Sequence, residues 1–379
     1  MNEVVFLTGA TGFIGGNIAA RILKRNPRTR LIVLVRGTST DEASDRFWKT
    51  ILTIDPEIRP GDMRSRVSVV RGDIASTNLG MSRSDLEKVV EETTHVIHSA
   101  ASVEFNFSLE EARVTNCTGT NNVMATAKLA FEQGRVQRIG YISTAYVSGN
   151  REGTIYEHEL DHRCGFANTY EQTKNEAEQA VRRLAADLPI VVLRPSIVIG
   201  DSQTGITTSF NVLYAPLRFV LQGLLPCLPG SPSTPLDVVP VDFVRDAICH
   251  ITLESREGIG KTFHLTASEN AATTREIVAR TVEFFNETME KRRVENVHFL
   301  PANGFRLALH QSRPGSGAAE KLISMFESYL CHHRLFDNSN TNEILKETAI
   351  RAPRFEEYYR TILGYFVRSF WGREMKKAA

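Results

Sequence analysis

Short apolar runs alternate with longer amphipathic segments through the first 200 residues of this chain. That alternation is typical of repeated βαβ units, in which helices connect parallel strands. The apolar runs predict strands at residues 4–7, 31–35, 67–70, 95–98, 139–143 and 190–193. The amphipathic segments predict helices at residues 14–25, 84–91, 117–133 and 170–184. Since the strands are apolar on both faces, we expect an α/β fold with a Rossmann-type doubly wound parallel sheet.

The regular alternation ends near residue 200, where prolines become frequent, at positions 216, 226, 229, 232 and 235. Such clustering is typical of irregular chain. Further on, residues 242–254 predict a helix, and residues 262–266 predict a strand that returns to the main sheet. We therefore predict a Rossmann domain made of residues 1–200 and 237–270. Residues 201–236 and 271–379 are predicted to form a smaller, mainly helical substrate-binding region.

The composition is that of a globular protein from a reducing compartment. Lys and Arg number 45 and Asp and Glu number 44, so the chain lacks the basic excess that nucleic acid binding requires. Its five cysteines are odd in number and form no CxxC pair, which favours a reducing cytosol. An apolar strand begins the sequence with no secretory leader ahead of it, and the predicted localisation is cytoplasmic.

No segment of the sequence meets the requirement for a membrane span. The most apolar long stretch, residues 212–228, is interrupted by Arg218 and by prolines, whereas a span needs about 20 apolar residues. The last 29 residues carry seven basic and three acidic side chains beside several aromatic rings. Two interpretations of this tail stay open. A packed C-terminal helix is favoured, and a weak peripheral membrane contact through that helix is the alternative.

A glycine motif follows the first predicted strand directly and opens the first predicted helix. Glycines in this place permit a tight turn, close approach of the backbone to a pyrophosphate, and close packing of helix on strand. The free N–H groups and the positive dipole end of the helix favour an anion. We predict a dinucleotide site at Thr8, Gly9, Thr11, Gly12, Phe13, Ile14 and Gly15.

Residues after the next three strands extend this site. The second strand is followed by Arg36, at the place where enzymes that use NAD carry an acidic residue for the ribose hydroxyl. A guanidinium suits a 2′-phosphate, so the predicted cofactor is NADP(H); an ordinary surface arginine is the alternative. Asp73 and Ile74 follow the third strand, where a carboxylate would meet the adenine. After the fourth strand, small residues let the cofactor approach the backbone: Ser99, Ala100 and Ala101.

Tyr170 and Lys174 stand four residues apart on a predicted helix, which puts both side chains on one face. An ammonium close to the phenol stabilises the phenolate and lowers the tyrosine pKa from its usual value of about 10. The pair therefore predicts a proton donor or acceptor, the alternative being an amphipathic surface helix. Upstream, Thr144 closes a strand and is predicted to hold a carbonyl oxygen beside the tyrosine, with Ser143 as a competitor.

Taken in order, these motifs resemble the extended short-chain dehydrogenase/reductase superfamily over residues 1–270. The matching stretches are TGATGFIG, the acidic residue after strand three, HSAA, Asn116, the Ser/Thr strand end, YxxxK and Arg194-Pro195-Ser196. The resemblance implies catalytic roles for Tyr170, Lys174 and Thr144, which replaces the more usual serine. It implies a structural or proton-relay role for Asn116 and a ribose contact for Lys174. It also implies a nicotinamide wall formed by Pro195, Ser196, Ile197 and Val198.

Several stretches are similar to one branch of that superfamily, the thioester reductases and fatty acyl-CoA reductases. They are residues 34–36, 141–147, 170–174, 237–244 and 335–341, together with the long gap at 37–66. This resemblance implies NADPH-dependent reduction of an acyl thioester to the aldehyde. The acyl group would arrive on coenzyme A or on an acyl or peptidyl carrier protein. Whether the aldehyde is reduced further to the alcohol stays open.

Two alternative functions stay open at this point. One is an extended short-chain dehydrogenase that acts on a nucleotide sugar or on a hydroxysteroid-like alcohol or ketone; Arg36 disfavours it, because the sugar enzymes resemble NAD users. The other is a non-catalytic NADP-binding regulator, which the intact Tyr170 and Lys174 disfavour. No metal site is predicted, since residues 331–333, Cys-His-His, lack zinc-ligand spacing. The apolar stretch 210–228 is either an acyl channel or core packing.

Overall fold

The structure, a computed structural model, describes residues 3–104, 107–210, 213–221, 227–288, 294, 297–312 and 327–371. Its strands are β1 (Val4–Thr8), β2 (Arg30–Val35), β3 (Val67–Arg71), β4 (His95–His98), β5 (Arg138–Ile142), β6 (Gly153–Ile155), β7 (Ile190–Pro195), β8 (Ile197–Ile199), β9 (Cys227–Pro229), β10 (Val238–Pro240), β11 (Thr262–Leu265), β12 (His298–Leu300) and β13 (Arg334–Phe336). Its α-helices are α1 (Phe13–Arg25), α2 (Thr40–Ile54), α3 (Pro60–Met63), α4 (Arg83–Glu92), α5 (Leu109–Arg113), α6 (Gly119–Glu132), α7 (Thr169–Leu184), α8 (Tyr214–Leu221), α9 (Val241–Cys249), α10 (Thr274–Thr288), α11 (Ala302–Ser312), α12 (Ser339–Leu345) and α13 (Phe355–Phe366).

Seven strands form one parallel sheet in the order β11–β7–β5–β4–β1–β2–β3. From β1 the chain runs outward through β2 and β3, and then crosses to the other side of β1 to form β4. The strand order therefore reverses between β1 and β4, where Thr8 and His98 lie side by side at the strand ends. In sheets of this kind a ligand binds in the crevice at that point. The predicted doubly wound parallel sheet is confirmed.

Helices cover both faces of the sheet, as strands that are apolar on both faces require. On one face α1, α2 and α9 bury Ile18, Phe47 and Val244 against the strands. On the other face α6 and α7 contribute Val123 and Val181. A third apolar cluster joins α8, α10 and α13 with β8 and β10, which form a separate two-stranded sheet. The chain after residue 200 contributes to the core of the main sheet through α9, where Phe243 and Val244 share a cluster with Leu193 of β7.

Residues 37–66, interpreted from the sequence only as a long gap, contain the 15-residue helix α2. Ser39 caps this helix by accepting a hydrogen bond from the N–H of Glu42. Ala43, Phe47 and Ile51 are buried on one side of it. Apolar residues at intervals of three and four are the pattern of an amphipathic helix, so the signal was present in the sequence.

The described chain beyond residue 200 is mainly helical, as predicted, and also contains short strands. As predicted, a strand returns to the main sheet: β11 pairs with β7 at the edge. Short parallel pairs add to this, β8 with β10, β9 with β12 and β6 with β13. Each of these pairs forms a separate two-stranded sheet. Strands of only three residues show little periodicity, which is why the sequence did not predict them. The division into a Rossmann domain and a substrate-binding region stays a prediction.

Among the residues that the structure describes, no helix combines the length and the apolarity that crossing a bilayer requires. Helix α13 buries Tyr358, Ile362 and Phe366 within the protein, as the packed-helix interpretation of the tail requires. A peripheral membrane contact was the alternative interpretation of this tail, and residues 372–379 of the tail lie outside the described residues. So do residues 211–212 and 222–226 of the proline-broken stretch.

A buried ion pair links α7 to β7. Glu178 and Arg194 are both fully buried, and Arg194 Nη2 lies 2.6 Å from Glu178 Oε1. Glu178 also accepts a hydrogen bond of 2.6 Å from the hydroxyl of Ser143, which follows β5. Arg194 Nη1 donates to Nε2 of His264, in β11, over 3.0 Å. Burial and the charge of Arg194 lower the pKa of His264 to about 3, so this ring is neutral and accepts.

Replacing Glu178 by alanine is expected to lower the free energy of unfolding by about 3–5 kcal/mol, because Arg194 stays buried without its carboxylate. Urea unfolding followed by circular dichroism measures the loss. The matched control is Glu87→Ala, which removes the exposed partner of Arg83. That change should cost less than about 1 kcal/mol. Equal losses in the two variants would contradict the prediction.

Candidate active site

A cleft of about 430 Å³ opens where the strand order reverses, at the carboxyl ends of β1, β4, β5 and β7. Most of the predicted site residues line it: Thr11, Gly12, Phe13, Ile14, Ser99, Ala101, Thr144, Tyr170, Lys174, Pro195, Ser196, Ile197 and Val198. The other predicted residues lie outside this lining: Thr8, Gly9, Gly15, Arg36, Asp73, Ile74, Ala100 and Asn116. The fold thus brings the predicted catalytic residues and part of the predicted nucleotide site into one space.

Close backbone contacts require glycine at two places in the turn after β1. Gly9 has a φ of +75°, and a Cβ atom there would lie 2.6 Å from the backbone nitrogen of Ala100. A Cβ atom on Gly15 would lie 2.2 Å from the carbonyl oxygen of Gly9. The N-terminus of α1 therefore starts close against the turn, with residues 11–14 bordering the cleft. The N–H of Gly12 donates to the carbonyl oxygen of Gly9, and the neighbouring N–H groups at this helix N-terminus fit a dinucleotide pyrophosphate.

A chain of buried hydrogen bonds supports this turn from beneath. Thr8 Oγ1 accepts from the N–H of Ala100 over 3.4 Å and donates to His98 Nδ1 over 2.7 Å. On the other side of the ring, His98 Nε2 lies 3.0 Å from the hydroxyl of Thr120, which itself donates to the carbonyl oxygen of Asn116. The His98 proton is therefore on Nε2. Burial lowers the pKa of His98 to about 3, so the ring is neutral.

The residues predicted for the adenosine end follow β2 and β3. The guanidinium of Arg36 is exposed and has no hydrogen-bond or ion-pair partner within the described ranges. Arg46, which the sequence analysis missed, reaches back from α2 and donates to the carbonyl oxygen of Arg36 over 3.3 Å. Asp73 Oδ1 accepts from the N–H of Ala75 over 2.9 Å in a tight turn, and Ile74 is buried in the core. The guanidinium of Arg46 thus lies at the backbone of Arg36, just after the end of β2.

Tyr170 lies in the first turn of α7 and hydrogen-bonds to Thr144. Burial raises the pKa of Tyr170 to about 12, although the bond with Thr144 opposes the rise. The predicted lowering of this pKa is therefore wrong, because burial outweighs the effect expected from the ammonium of Lys174. The competing hydroxyl of Ser143 is bound to Glu178, which leaves Thr144 as the hydroxyl beside the tyrosine.

Lys174 is buried one helical turn after Tyr170 and binds strand β5. Its Nζ donates to the hydroxyl of Tyr141 over 3.0 Å and to the carbonyl oxygen of Ile142 over 2.8 Å. The same nitrogen lies 4.5 Å from the centre of the Tyr141 ring. Burial lowers the pKa of Lys174 to about 8, against the opposing charge of Glu178. Lys174 also borders the cleft, so its ammonium lies between the strand and any ligand there.

Asn116 links the loop that follows β4 to helix α7 through hydrogen bonds. Its Oδ1 accepts from the N–H of Ser102 over 2.8 Å, and its Nδ2 donates to the carbonyl oxygen of Ser102 over 3.0 Å. Nδ2 also donates to the hydroxyl of Thr173, which directly precedes Lys174. The side chain of Asn116 therefore holds the loop after β4 to the helix that carries the predicted catalytic pair.

Tyr141 is a polar site residue that the sequence analysis missed. Its hydroxyl accepts from Lys174 and hydrogen-bonds to Thr120. Because Thr120 gives its own proton to the Asn116 carbonyl, the hydroxyl of Tyr141 donates to Thr120. An aromatic residue inside a buried strand normally indicates core packing, and no local motif distinguishes this one. The contacts of its hydroxyl connect Lys174 to the support of the glycine turn.

Further tyrosines line the part of the cleft that lies away from the glycine turn: Tyr146, Tyr214 and Tyr329. Tyr329 comes from the C-terminal region, and its ring packs edge-on against Tyr146 at 4.6 Å between ring centres. Because these tyrosines are far apart in the sequence and form no motif, the sequence analysis did not predict them as site residues.

Within the described residues, no group of three His, Cys, Asp or Glu side chains is arranged to hold a metal ion. His332 instead hydrogen-bonds to Ser328 within one helical turn. Cys117, which packs against α7, is half-buried. Burial raises the pKa of its thiol to about 12, so this cysteine is protonated at neutral pH.

Comparison with known proteins identifies a family and a group of relatives. The model of a family described as Male sterility protein, an NAD-binding domain, matches residues 7–248. The fatty acyl-CoA reductase wat of Drosophila melanogaster is 28% identical over 276 residues, which cover 64% of this chain and 53% of wat. Against wat and two other Drosophila relatives, the chain spans only 50–59% of their length.

Solved structures share the fold. The terminal R domain from the myxalamid PKS-NRPS biosynthetic pathway superposes with a TM-score of 0.82 and 25% identity, covering 97% of this chain and 90% of that domain. A UDP-glucuronic acid 4-epimerase from Bacillus cereus, in complex with NAD, gives a TM-score of 0.66 at 17% identity, covering 98% of each chain. The second likeness shows the fold alone. Together with the family match, the cleft supports a nicotinamide dinucleotide as the cofactor.

The contact between Tyr141 and Lys174 predicts a measurable pKa change. Tyr141→Phe is expected to lower the pKa of Lys174 from about 8 by roughly one unit, because a buried ammonium loses a hydrogen bond to its charged form. Titration of isotope-labelled lysine by NMR measures this value. Tyr156→Phe, at an exposed tyrosine, is the control and should leave it unchanged. An unaltered pKa in Tyr141→Phe would count against the assigned contact.

Proposed function

The chain belongs to the Male sterility protein family of NAD-binding domains, and from this membership we propose that it is an NADPH-dependent reductase of acyl thioesters. The predicted resemblance to the thioester reductase and fatty acyl-CoA reductase branch of the extended short-chain dehydrogenases is confirmed. The observation that carries the proposed activity is one cleft in which the glycine turn, Thr144, Tyr170 and Lys174 meet. The proposed product is the aldehyde, and the acyl group arrives on coenzyme A or on a carrier protein.

Different residues of the cleft are suited to different parts of the cofactor. Residues 11–14 at the N-terminus of α1 would hold the pyrophosphate, and Lys174 the nicotinamide ribose. Residues 195–198 would form the wall beside the nicotinamide. When bound there, NADPH supplies the hydride for the carbonyl carbon. All of these residues border the same cleft, which supports the assignment.

Arg36 and Arg46 support NADP(H) rather than NAD(H). Arg36 directly follows β2, and the guanidinium of Arg46 reaches its carbonyl oxygen, at the place where the ribose of the adenosine is held in this fold. A planar guanidinium pairs with a phosphate through two hydrogen bonds, and Arg36 has no competing partner in the described part of the chain. The 2′-phosphate of NADP(H) would supply an anionic partner for Arg36 and would add to the charge of Glu42 near Arg46.

In this proposal Tyr170 acts as the general acid. Its pKa of about 12 keeps the hydroxyl protonated at neutral pH. As negative charge develops on the thioester oxygen, Thr144 donates a hydrogen bond to it and Tyr170 donates its proton. The ammonium of Lys174, one turn away, then stabilises the phenolate that remains.

Hydride addition to the carbonyl carbon together with this proton transfer to its oxygen gives a hemithioacetal. Its C–S bond breaks as the hydroxyl loses its proton, and the thiol takes up a proton, which releases the free thiol and the aldehyde. The chain needs no cysteine nucleophile for this sequence of steps, because the substrate is already a thioester. This agrees with the protonated, half-buried state of Cys117 beside α7.

The proposed activity predicts coupled consumption of NADPH and release of thiol from acyl-CoA or carrier-bound substrates. Tyr170→Phe is expected to lower kcat by about 10²–10⁴-fold, because the carbonyl oxygen loses its proton donor. Absorbance at the NADPH band and a thiol reagent measure the two signals together. Ketones and nucleotide sugars form the comparison panel. Turnover of one of these substrates without thiol release from any thioester would contradict the proposal and favour the alternative dehydrogenase.

The two arginines predict the cofactor preference. Arg36→Ala and Arg46→Ala are each expected to raise the KM for NADPH by roughly 10–100-fold, because a charge-assisted hydrogen bond to the 2′-phosphate is lost. The KM for NADH should change less than threefold in the same variants, since NADH has no phosphate at that place. Arg71→Ala, at the exposed end of the neighbouring strand β3, is the control. A wild-type protein that prefers NADH would refute this assignment.

A further inference from the structure

A second cavity, of about 40 Å³, lies directly behind the cleft, and we call it the rear cavity. Cleft and rear cavity share three side chains, Ile197, Leu213 and Tyr329. The rest of the rear cavity is built by the chain after residue 200, through side chains such as Leu228 and Val278. The shared side chains therefore form a wall between the reacting groups and an apolar space.

Among the described side chains that line the rear cavity, each polar one already has a hydrogen-bond partner. The hydroxyl of Thr274 donates to the carbonyl oxygen of Thr234 over 3.0 Å. The hydroxyl of Tyr329 accepts from Asn168 over 3.4 Å and hydrogen-bonds to Glu171. The other lining side chains are hydrocarbon. A sugar or peptide group placed here would lose its hydrogen bonds with water without replacement, whereas a hydrocarbon chain gains by leaving water.

Contacts on several sides fix Tyr329 in this wall. Its ring is buried and packs edge-on against Tyr146, which also borders the cleft. Its hydroxyl is held by Asn168, the N-cap of α7, and by Glu171, the residue next to Tyr170. The helix that carries the proposed general acid therefore also sets the position of Tyr329.

We propose that Tyr329 determines the length of the acyl chain that the protein accepts. The chain of the thioester ends against the Tyr329 ring, the largest of the three shared side chains. Without that ring the rear cavity joins the cleft, and further methylenes find an apolar lining. The proposal rests on the proposed thioester reduction, and it gives the C-terminal region a direct part in substrate choice.

The test measures chain-length profiles of the wild type and of Tyr329→Ala. Substrates are saturated acyl-CoA thioesters from acetyl to palmitoyl, and the readout is kcat/KM from NADPH consumption and thiol release. Tyr329→Ala is expected to move the optimum to longer chains by two or more methylenes. Its kcat/KM for the longer chain relative to the shorter should rise about fourfold for each methylene that becomes buried. An unchanged profile in a folded variant would overturn the proposal.

Three further variants separate the wall from other effects. Tyr329→Leu also opens the wall but keeps more buried apolar surface, in case the alanine variant fails to fold in thermal melts. Leu228→Ala enlarges the rear cavity without opening the wall, so its profile should match the wild type. Tyr329→Ala combined with Val278→Phe refills the rear cavity and should restore the shorter optimum. Retention of the longer optimum in this double variant would show that the chain lies elsewhere.

A binding measurement distinguishes failure of this proposal from failure of the proposed function. Calorimetric titration of the same acyl-CoA series in the presence of NADP⁺, which carries no hydride, gives a Kd for each chain length. If no thioester is reduced but the Kd profile shifts in Tyr329→Ala, the proposed reductase activity is refuted and the role of Tyr329 is supported. If thioesters are reduced and neither the kcat/KM profile nor the Kd profile shifts, only the proposed role of Tyr329 is refuted. Absence of turnover together with flat Kd profiles refutes both.

Discussion

The buried ion pair between Glu178 and Arg194 holds in place the elements that build the cleft. Through Ser143 it fixes the end of β5, where Thr144 follows, and Arg194 directly precedes the wall that begins at Pro195. Two buried charges cost free energy, which is offset here because the carboxylate and the guanidinium are surrounded by hydrogen-bond partners. Through His264, whose Nδ1 lies 2.7 Å from the carbonyl oxygen of Asp337, the same network reaches the C-terminal region.

The confirmed fold prediction rests on local sequence patterns. So do the predicted site residues that the fold brings together in one cleft. Strand and helix periodicities gave the sheet, and the glycines at 9 and 15 gave the turn, because close backbone contacts leave no space for a side chain. Tyr170 and Lys174 share a helix, so their spacing alone places them on one face. In each case the information lies within about 15 residues of continuous chain.

What the sequence did not reveal depends on contacts between distant segments. Tyr141 and Tyr329 are ordinary aromatic residues until the fold places their hydroxyls beside Lys174 and Glu171. Arg46 joins Arg36 only because the unpredicted helix α2 turns back over the end of β2. The pKa of Tyr170 was predicted in the wrong direction because burial, which depends on the whole surrounding structure, raises it, while the ammonium of Lys174 binds Tyr141 and Ile142.

The hydrogen bonds around Thr120 have a consequence for proton movement. In one series of hydrogen bonds, the N–H of Ala100 donates to Thr8, Thr8 donates to His98, and Nε2 of the neutral His98 ring donates to Thr120. In the other series, Lys174 donates to Tyr141, and Tyr141 donates to Thr120. Both series meet at Thr120, which donates to the Asn116 carbonyl. Two donor chains that meet head to head cannot pass a proton across their meeting point unless every bond on one side reverses. Within the described residues, this network in its present arrangement therefore does not pass a proton between the glycine turn and Lys174.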